Sequence, residues 1–553
     1  MNGWVSRLSC LFVLAFAWSV RGAAAPSIAS VANAASNNSP GLPNAGIAQG
    51  AIFIVYGSGL GPANLTEASP AFQSTTLSNT SVAVTVGGTK VDALMYYTSS
   101  AQVAALLPSD TPAGTGTVTV TYNNQTSASA QITVVAHNLG VFAIDSSGGG
   151  PGIVTYPDYS LVSAVKAAHC GGPNTTCGAA NAGDTLILWA TGLGPVSGSD
   201  AAGAGLGVNM PDIPLKLWLG GVQAPVSYQG RSGCCVGEDQ VVFTVPNDAP
   251  VGCNVPLVVQ IGNQISNTTV MPVANGSRSC QMSRPDFALV GSDQIEQLIT
   301  AGAVTAGTIK LSHFSDGGGT FEDDARFQFY NFNSFVPGTQ PFSASLLDDQ
   351  APGTCIVYSN LNAGFNNWVI GGSQLDAGSS FSVTGPNGSV TLAVGSGKLT
   401  EFNTTGAFLA PGNYAVTGAG GADVGPVSAN ITMPEFPTLT SPVNNGAATR
   451  SNGMTVKWTG GSGSLEIEVN SCTDSSCNNG AAAVCHLPAN LGTFTIPSYV
   501  MEALPAGNSA GIVLSPYSFA GFTATGIEVG SIETYSNAAG FGYGWGSGGF
   551  ILK

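Results

Sequence analysis

Ala51-Ile52-Phe53-Ile54-Val55-Tyr56 runs into Gly57-Ser58-Gly59-Leu60-Gly61-Pro62, and Thr185-Leu186-Ile187-Leu188-Trp189 runs into Ala190-Thr191-Gly192-Leu193-Gly194-Pro195. Each apolar run has strand character and each turn is rich in glycine. The likeness continues downstream in the same order. Val82-Ala83-Val84-Thr85-Val86-Gly87-Gly88 answers to Leu215-Lys216-Leu217-Trp218-Leu219-Gly220-Gly221, and Gln102-Val103 to Gln240-Val241. Pro108-Ser109-Asp110-Thr111-Pro112-Ala113-Gly114 answers to Pro246-Asn247-Asp248-Ala249-Pro250-Val251-Gly252, and Asn124-Gln125-Thr126-Ser127 to Asn263-Gln264-Ile265-Ser266. So many correspondences in one order mark an internal duplication.

Period-two alternation at Val82, Val84 and Val86, and again at Val118, Val120 and Tyr122, predicts half-buried antiparallel strands. About seven short strands in roughly 100 residues suit a two-sheet sandwich. On these residues the chain resembles the immunoglobulin-like IPT/TIG modules. More closely, it resembles the tandem domain of exported proteins of Solibacter-type Acidobacteria, over about residues 27–282. The resemblance implies an exported pair of Ig-like sandwiches, and it carries no catalytic residues to transfer. The expected fold class is therefore all-β, with tandem immunoglobulin-like β-sandwiches in a multidomain chain.

At 553 residues the chain exceeds one core, and a prior of roughly 100–200 residues per domain predicts about four. The expected divisions are a signal peptide at 1–24, repeat 1 at 25–137, repeat 2 at 138–282, a β-rich domain at 283–434 and a C-terminal sandwich at 435–553. Arg7, the apolar run Leu8 to Val20 and the small residues Gly22 to Ala25 have the order of a secretory signal. The run is short for a span of about 20 residues, so export without membrane insertion is expected. Pro26 to Gly50 reads as a leader segment. Asp293 to Ile299 hints at a helix, prolines 434, 437 and 442 read as a linker, and Thr455–Trp458 with Leu465–Val469 reads as a hairpin across Gly460–Gly463.

The formal net charge of −16 and the lack of a basic cluster exclude nucleic acid as an expected partner. Ten cysteines follow the signal, which predicts disulfides rather than a zinc site, since no Cys-x-x-Cys pair occurs. Cys170 and Cys177 should form a local bridge. Cys234, Cys235, Cys253 and Cys280 should pair among themselves through two longer links, since neighbouring cysteines strain a direct bond. Cys355 stands alone in sequence, and Cys472, Cys477 and Cys485 group near the C-terminus.

The two glycine turns lack the helix N-terminus and lysine of a phosphate loop and read as structural turns. Four histidines are present, His137, His169, His313 and His486, none in a nucleophile motif. His313 precedes Asp316, Glu322, Asp323 and Asp324, with Asp348 and Asp349 beyond. That acidic group is a solvated loop, a Ca²⁺ site built on Asp316, Glu322, Asp323 and Asp324, or a carboxylate pair for glycoside hydrolysis. These side chains are expected not to converge on a closed cleft. No cofactor other than Ca²⁺ is expected, and no catalytic residue is assigned. Trp368, Tyr543 and Trp545 are candidates for stacking on sugar, against core packing as the plainer role. The leading expectation is a secreted, non-catalytic surface or matrix binding protein that contacts polysaccharide or a surface protein. A secreted hydrolase with its site in 284–433, or a structural spacer, is the alternative.

Overall fold

The structure, a computed structural model, describes residues 24–553 apart from 70–71, 145, 164–177, 201–207, 234, 277, 282–303, 316–320, 333–349, 360–372, 395–398, 402–407, 475–478, 538 and 542–548. The expected signal peptide, the helix at 293–299, and Cys170, Cys177, Cys234, Cys477, His169, Asp316, Asp348, Asp349, Trp368, Tyr543 and Trp545 lie outside the described residues. Among the described residues no helix is long and apolar enough to cross a membrane. The fold is all-β, with tandem Ig-like sandwiches.

Repeats 1 and 2 share strand order in both of their sheets. In repeat 1 one sheet runs Ser27–Asn33, Ile52–Ser58, Gln102–Leu106, Leu94–Thr98, Thr66–Glu67, and the other runs Ile47–Ala48, Ala130–Val135, Gly114–Tyr122, Thr80–Val86, Thr89–Asp92. Ser27–Asn33 pairs antiparallel with Ile52–Ser58, so the expected leader is in part an edge strand of the sandwich. The matched motifs have matched work. Gly87-Gly88 and Gly220-Gly221 all have positive φ and close two-residue hairpins between Val86 and Thr89 and between Leu219 and Val222. A primed turn of this kind suits the strand twist and needs positive φ at both positions, which glycine adopts without strain. Ser127 Oγ accepts the Val120 amide at 3.1 Å, and Ser266 Oγ accepts the Val259 amide at 2.9 Å. Leu60 and Leu193, at the centres of the two glycine turns, are fully buried and plug equivalent ends of the two cores.

Beyond repeat 2 the architecture departs from two serial domains. One large sheet runs Thr354–Ser359, Gly480–Pro488, Ser464–Cys472, Gly507–Gly521, Val529–Ser536, Val304–Ser315, Phe321–Phe332, Ser373–Gln374. Val304–Ser315 lies parallel to Val529–Ser536 in eight-residue register, from Ala306 against Val529 to His313 against Ser536. The sheet therefore crosses the expected boundary at 434/435. Two smaller sheets cover its apolar face. The first, Gly388–Ala393, Ser380–Gly385, Gly412–Gly418 and Val427–Met433, packs Phe381, Val383 and Val416 against Ile309, Leu311, Phe327 and Ile532. The second, Pro437–Ser441, Met454–Gly460 and Thr493–Ile496, packs Val456 and Trp458 against Leu465, Ile467 and Leu514.

Two local expectations are corrected here. The segment expected as a linker supplies the strand Pro437–Ser441, which pairs on one side only, with Met454–Gly460, and such an edge tolerates proline. Met454–Gly460 and Ser464–Cys472 do not form a hairpin; they belong to opposing sheets, and Gly460, Gly461 and Gly463 carry the chain between layers with positive φ. Ala410 and Tyr414 make a tyrosine corner: the Tyr414 hydroxyl accepts the Ala410 amide at 2.7 Å and donates to its carbonyl at 2.8 Å.

The cysteine pairing is also partly different. Cys253 bonds Cys280, with Cα atoms 5.1 Å apart, which leaves neither free for the two longer links expected from Cys234 and Cys235. The cause is the return of the chain past the Gly252–Ile261 strand, beside the irregular register between Gly252 and Val255. Cys355 does not stand alone. It bonds Cys485 because the two are direct neighbours on paired strands, with Cα atoms 4.1 Å apart. Cys235 and Cys472 are disulfide-bonded too.

Candidate functional site

The second glycine turn is held from behind by side chains. Asp239, fully buried, accepts the Gly192 and Leu193 amides at 2.8 and 2.7 Å and pairs with the buried Arg231, whose second nitrogen donates to the Gly194 carbonyl at 2.7 Å. Thr191 Oγ1 accepts the Ile52 amide of repeat 1 at 2.9 Å and donates to the Gly237 carbonyl at 2.7 Å. Asp200 receives the amide and hydroxyl of Ser109 at 2.6 and 3.1 Å, and His137 Nδ1 meets the Leu193 carbonyl at 2.7 Å. The Gly192 and Leu193 amides are thus spent on a carboxylate of the chain itself, which leaves no anion cradle at this turn.

The acidic run sits on the hairpin of Val304–Ser315 and Phe321–Phe332. Alternation sends Asp323 and Asp324 to opposite faces, while Glu322 is exposed. Cross-strand register places His313 opposite Asp323, and Nδ1 lies 2.6 Å from Oδ1. The pair meets within the packed interior, and the other acidic residues of the run that are described, Glu322 and Asp324, do not join it. Both side chains are buried; the imidazole stacks on Phe436, with centroids 5.0 Å apart, and Asp323 Oδ2 accepts the Leu409 amide at 2.8 Å. Asp324 Oδ2 accepts Arg326 Nε at 2.9 Å. Among the described residues no group of three or more His, Cys, Asp or Glu side chains is placed to hold a metal ion.

The second face of the large sheet carries a polar band that no local motif marks. Register aligns Glu466 with His486 and Ser515, and Lys310 with Glu533. Glu466 accepts from Tyr535 at 3.2 Å and contacts His486 Nε2 at 3.1 Å; Ser515 donates to the Tyr535 hydroxyl at 2.9 Å. Lys310 pairs with Glu533 at 3.0 Å and lies 5.0 Å from the centroid of the Tyr535 ring. Glu468, on the same face as Glu466, accepts from Asn470 at 3.2 Å. Burial, followed by the neighbouring Glu466 carboxylate, pushes the Glu468 pKa up to about 7. The alternation Leu465-Glu466-Ile467-Glu468-Val469 was the available signal for this face. Its members come from five strands whose pairing no local pattern announces, with Lys310 the most remote in sequence, which hid the constellation.

A cleft of about 640 Å³ opens at the edge of the neighbouring core, lined by Phe327, Phe329, Phe381, Asp376, Gly421 and Asp423. Asp376 accepts the Gly378 and Ala422 amides at 2.9 and 3.2 Å, which hold its carboxyl below the usual range, and its own amide donates to Asp423 at 2.8 Å. The two aspartates clasp their loops together beside the cleft.

Residues 41–134 match the IPT/TIG domain. No curated protein matches the chain. Among solved structures, domains 4–9 of the surface layer protein SbsC are 11% identical with a TM-score of 0.17, over 92% of this chain and 65% of that one. The chain thus spans just under two thirds of that fragment. SGBP-B from a complex xyloglucan utilization locus in Bacteroides uniformis is 11% identical with a TM-score of 0.16, over 69% of this chain and 86% of that one. The Escherichia coli adhesin FdeC is 14% identical with a TM-score of 0.14, over 72% and 96%.

Proposed function

We propose that this chain is an exported, non-catalytic protein of the Solibacter-type Acidobacterial kind that binds polysaccharide at a cell surface or in the surrounding matrix. The observation that carries the reading is the polar band on the large sheet. Carboxylates, an imidazole, an amide and tyrosines are gathered there across neighbouring strands, at Glu466, Glu468, Asn470, His486, Tyr517 and Tyr535. The band's partly exposed members, Glu466, Tyr517 and Tyr535, offer hydrogen-bonding groups for sugar hydroxyls and ring faces for stacking, with His486 buried and Glu468 largely buried behind them. The N-terminal Leu8–Val20 run and the paired cysteines support export. Trp368, Tyr543 and Trp545 remain candidate stacking residues under this reading, and no metal or other cofactor enters it.

A glycan array probed with the mature protein tests the reading, with Glu466→Ala and Tyr517→Ala as companions. Retained glycan that either substitution releases, with the fold intact, supports it; a blank array overturns it in favour of a spacer without ligand. The hydrolase alternative in 284–433 draws on one observation, the His313–Asp323 pair. Turnover of a polysaccharide or ester, abolished by Glu322→Ala with Asp324→Ala, would establish that alternative.

A further inference from the structure

We propose that Arg231 and Asp239 form an interdomain lock that makes repeats 1 and 2 one stiff body, a spacing function beyond ligand binding. The duplication supplies an internal control. With Gln102 aligned to Gln240, the strand registers put Ala101 where repeat 2 has Asp239 and Ser100 where it has Arg231. Repeat 1 nevertheless makes the same kind of turn, holding it by backbone alone: the Leu60 amide donates to the Ser100 carbonyl at 3.1 Å and the Gly57 amide to the Ala101 carbonyl at 3.0 Å. A buried ion pair is therefore not a requirement of the turn or of the sandwich. It occurs in the copy whose turn is seated on another domain.

What the pair touches agrees with this role. A Cβ built on Gly50 of repeat 1 would meet Arg231 Nη2 at 2.1 Å and the Gly194 carbonyl at 3.1 Å, so the guanidinium lies against the repeat 1 backbone. Around it Thr191 takes the Ile52 amide, Asp200 takes Ser109, and the Asn33 amide nitrogen reaches the Thr191 carbonyl at 3.3 Å. Tyr96 of repeat 1 donates to the Val236 carbonyl. Each contact joins polar groups whose partners lie in the other domain, so a change of angle would strand several buried donors at once, at about 1–3 kcal/mol each. That penalty is what makes the junction stiff.

The test is the distribution of distances between spin labels at exposed Lys90 and Lys216 sites in the full mature chain, read by pulsed electron resonance. The parent should give one narrow distribution. Arg231→Met with Asp239→Leu should broaden it at least twofold. Since that variant also alters the core of repeat 2, Gly50→Ala serves as the second arm; its methyl wedges against Arg231 from the repeat 1 side while every residue of repeat 2 stays as it is, and it should broaden the distribution as well. Broadening in both arms, with the melting of repeat 2 retained in the Gly50 variant, supports the lock. A distribution as narrow as the parent's in both arms would overturn it and leave the pair as a core feature of repeat 2.

Discussion

Glu468 shows how one residue can set a pH response. Its folded pKa of about 7 stands above the ordinary glutamate value of 4.5, so the folded state holds this proton more tightly than the unfolded chain does. The associated stability is fully present below pH 4.5 and is lost as pH rises through about 7. Glu468→Gln keeps the acceptor for Asn470 and removes the ionisation. The variant should melt with the parent near pH 4 and above it at pH 8, by up to about 2 kcal/mol; a gap that does not widen with pH would refute the assignment. The hairpin acids separate by burial in the same way. Asp323→Ala strands His313 and the Leu409 amide and should cost about 3 kcal/mol in a chemical melt. Glu322→Ala with Asp324→Ala should stay within about 1 kcal/mol, because Glu322 is exposed and Asp324 Oδ1 is buried without a partner. The acidic run was legible as alternating, but which of its members faced a histidine was not.

At the scale of elements, the glycine turns, the Gly-Gly hairpins and the Asn-Gln-x-Ser segments were readable because each imposes a backbone requirement within a few residues. Partnership was less readable. Alternation states which face of a strand is apolar and says nothing of which strand lies beside it, so Met454–Gly460 and Ser464–Cys472 read as a hairpin although they oppose each other across a core. The same limit hid the bond between Cys355 and Cys485, 130 residues apart. Thr354–Ser359 is an edge strand held by Gly480–Pro488 and by this bridge. Replacing both cysteines with alanine should lower stability by about 3–5 kcal/mol, given the long loop it closes. Limited proteolysis should then cut near Ser359 first. Unchanged melting in the double variant would show that the strand pairing alone suffices.

For the whole molecule, the expected divisions predict different outcomes for different truncations. A fragment of residues 24–282 contains both repeats and the Cys253–Cys280 bond and should fold, giving dispersed amide spectra. A fragment of residues 283–434 should not, since the Val304–Ser315 strand would lose its parallel neighbour Val529–Ser536 and the core would lose Phe522 and Ile532. A cooperative melt from the second fragment would restore the boundary at 434. The cause of the difference is a tertiary pairing between segments separated by 223 residues, at Thr305 and Glu528, which no local pattern announces. That pairing also orders events during synthesis. A ribosome adding about 5–20 residues each second needs roughly 10–45 s to travel from the hairpin to its partner. Repeats 1 and 2 can close while the rest is still being made, whereas the hairpin must persist with one strand edge bare until Val529–Ser536 emerges. The half of the molecule made last is thus the half most in need of a chaperone, and the half a protease would meet unfinished.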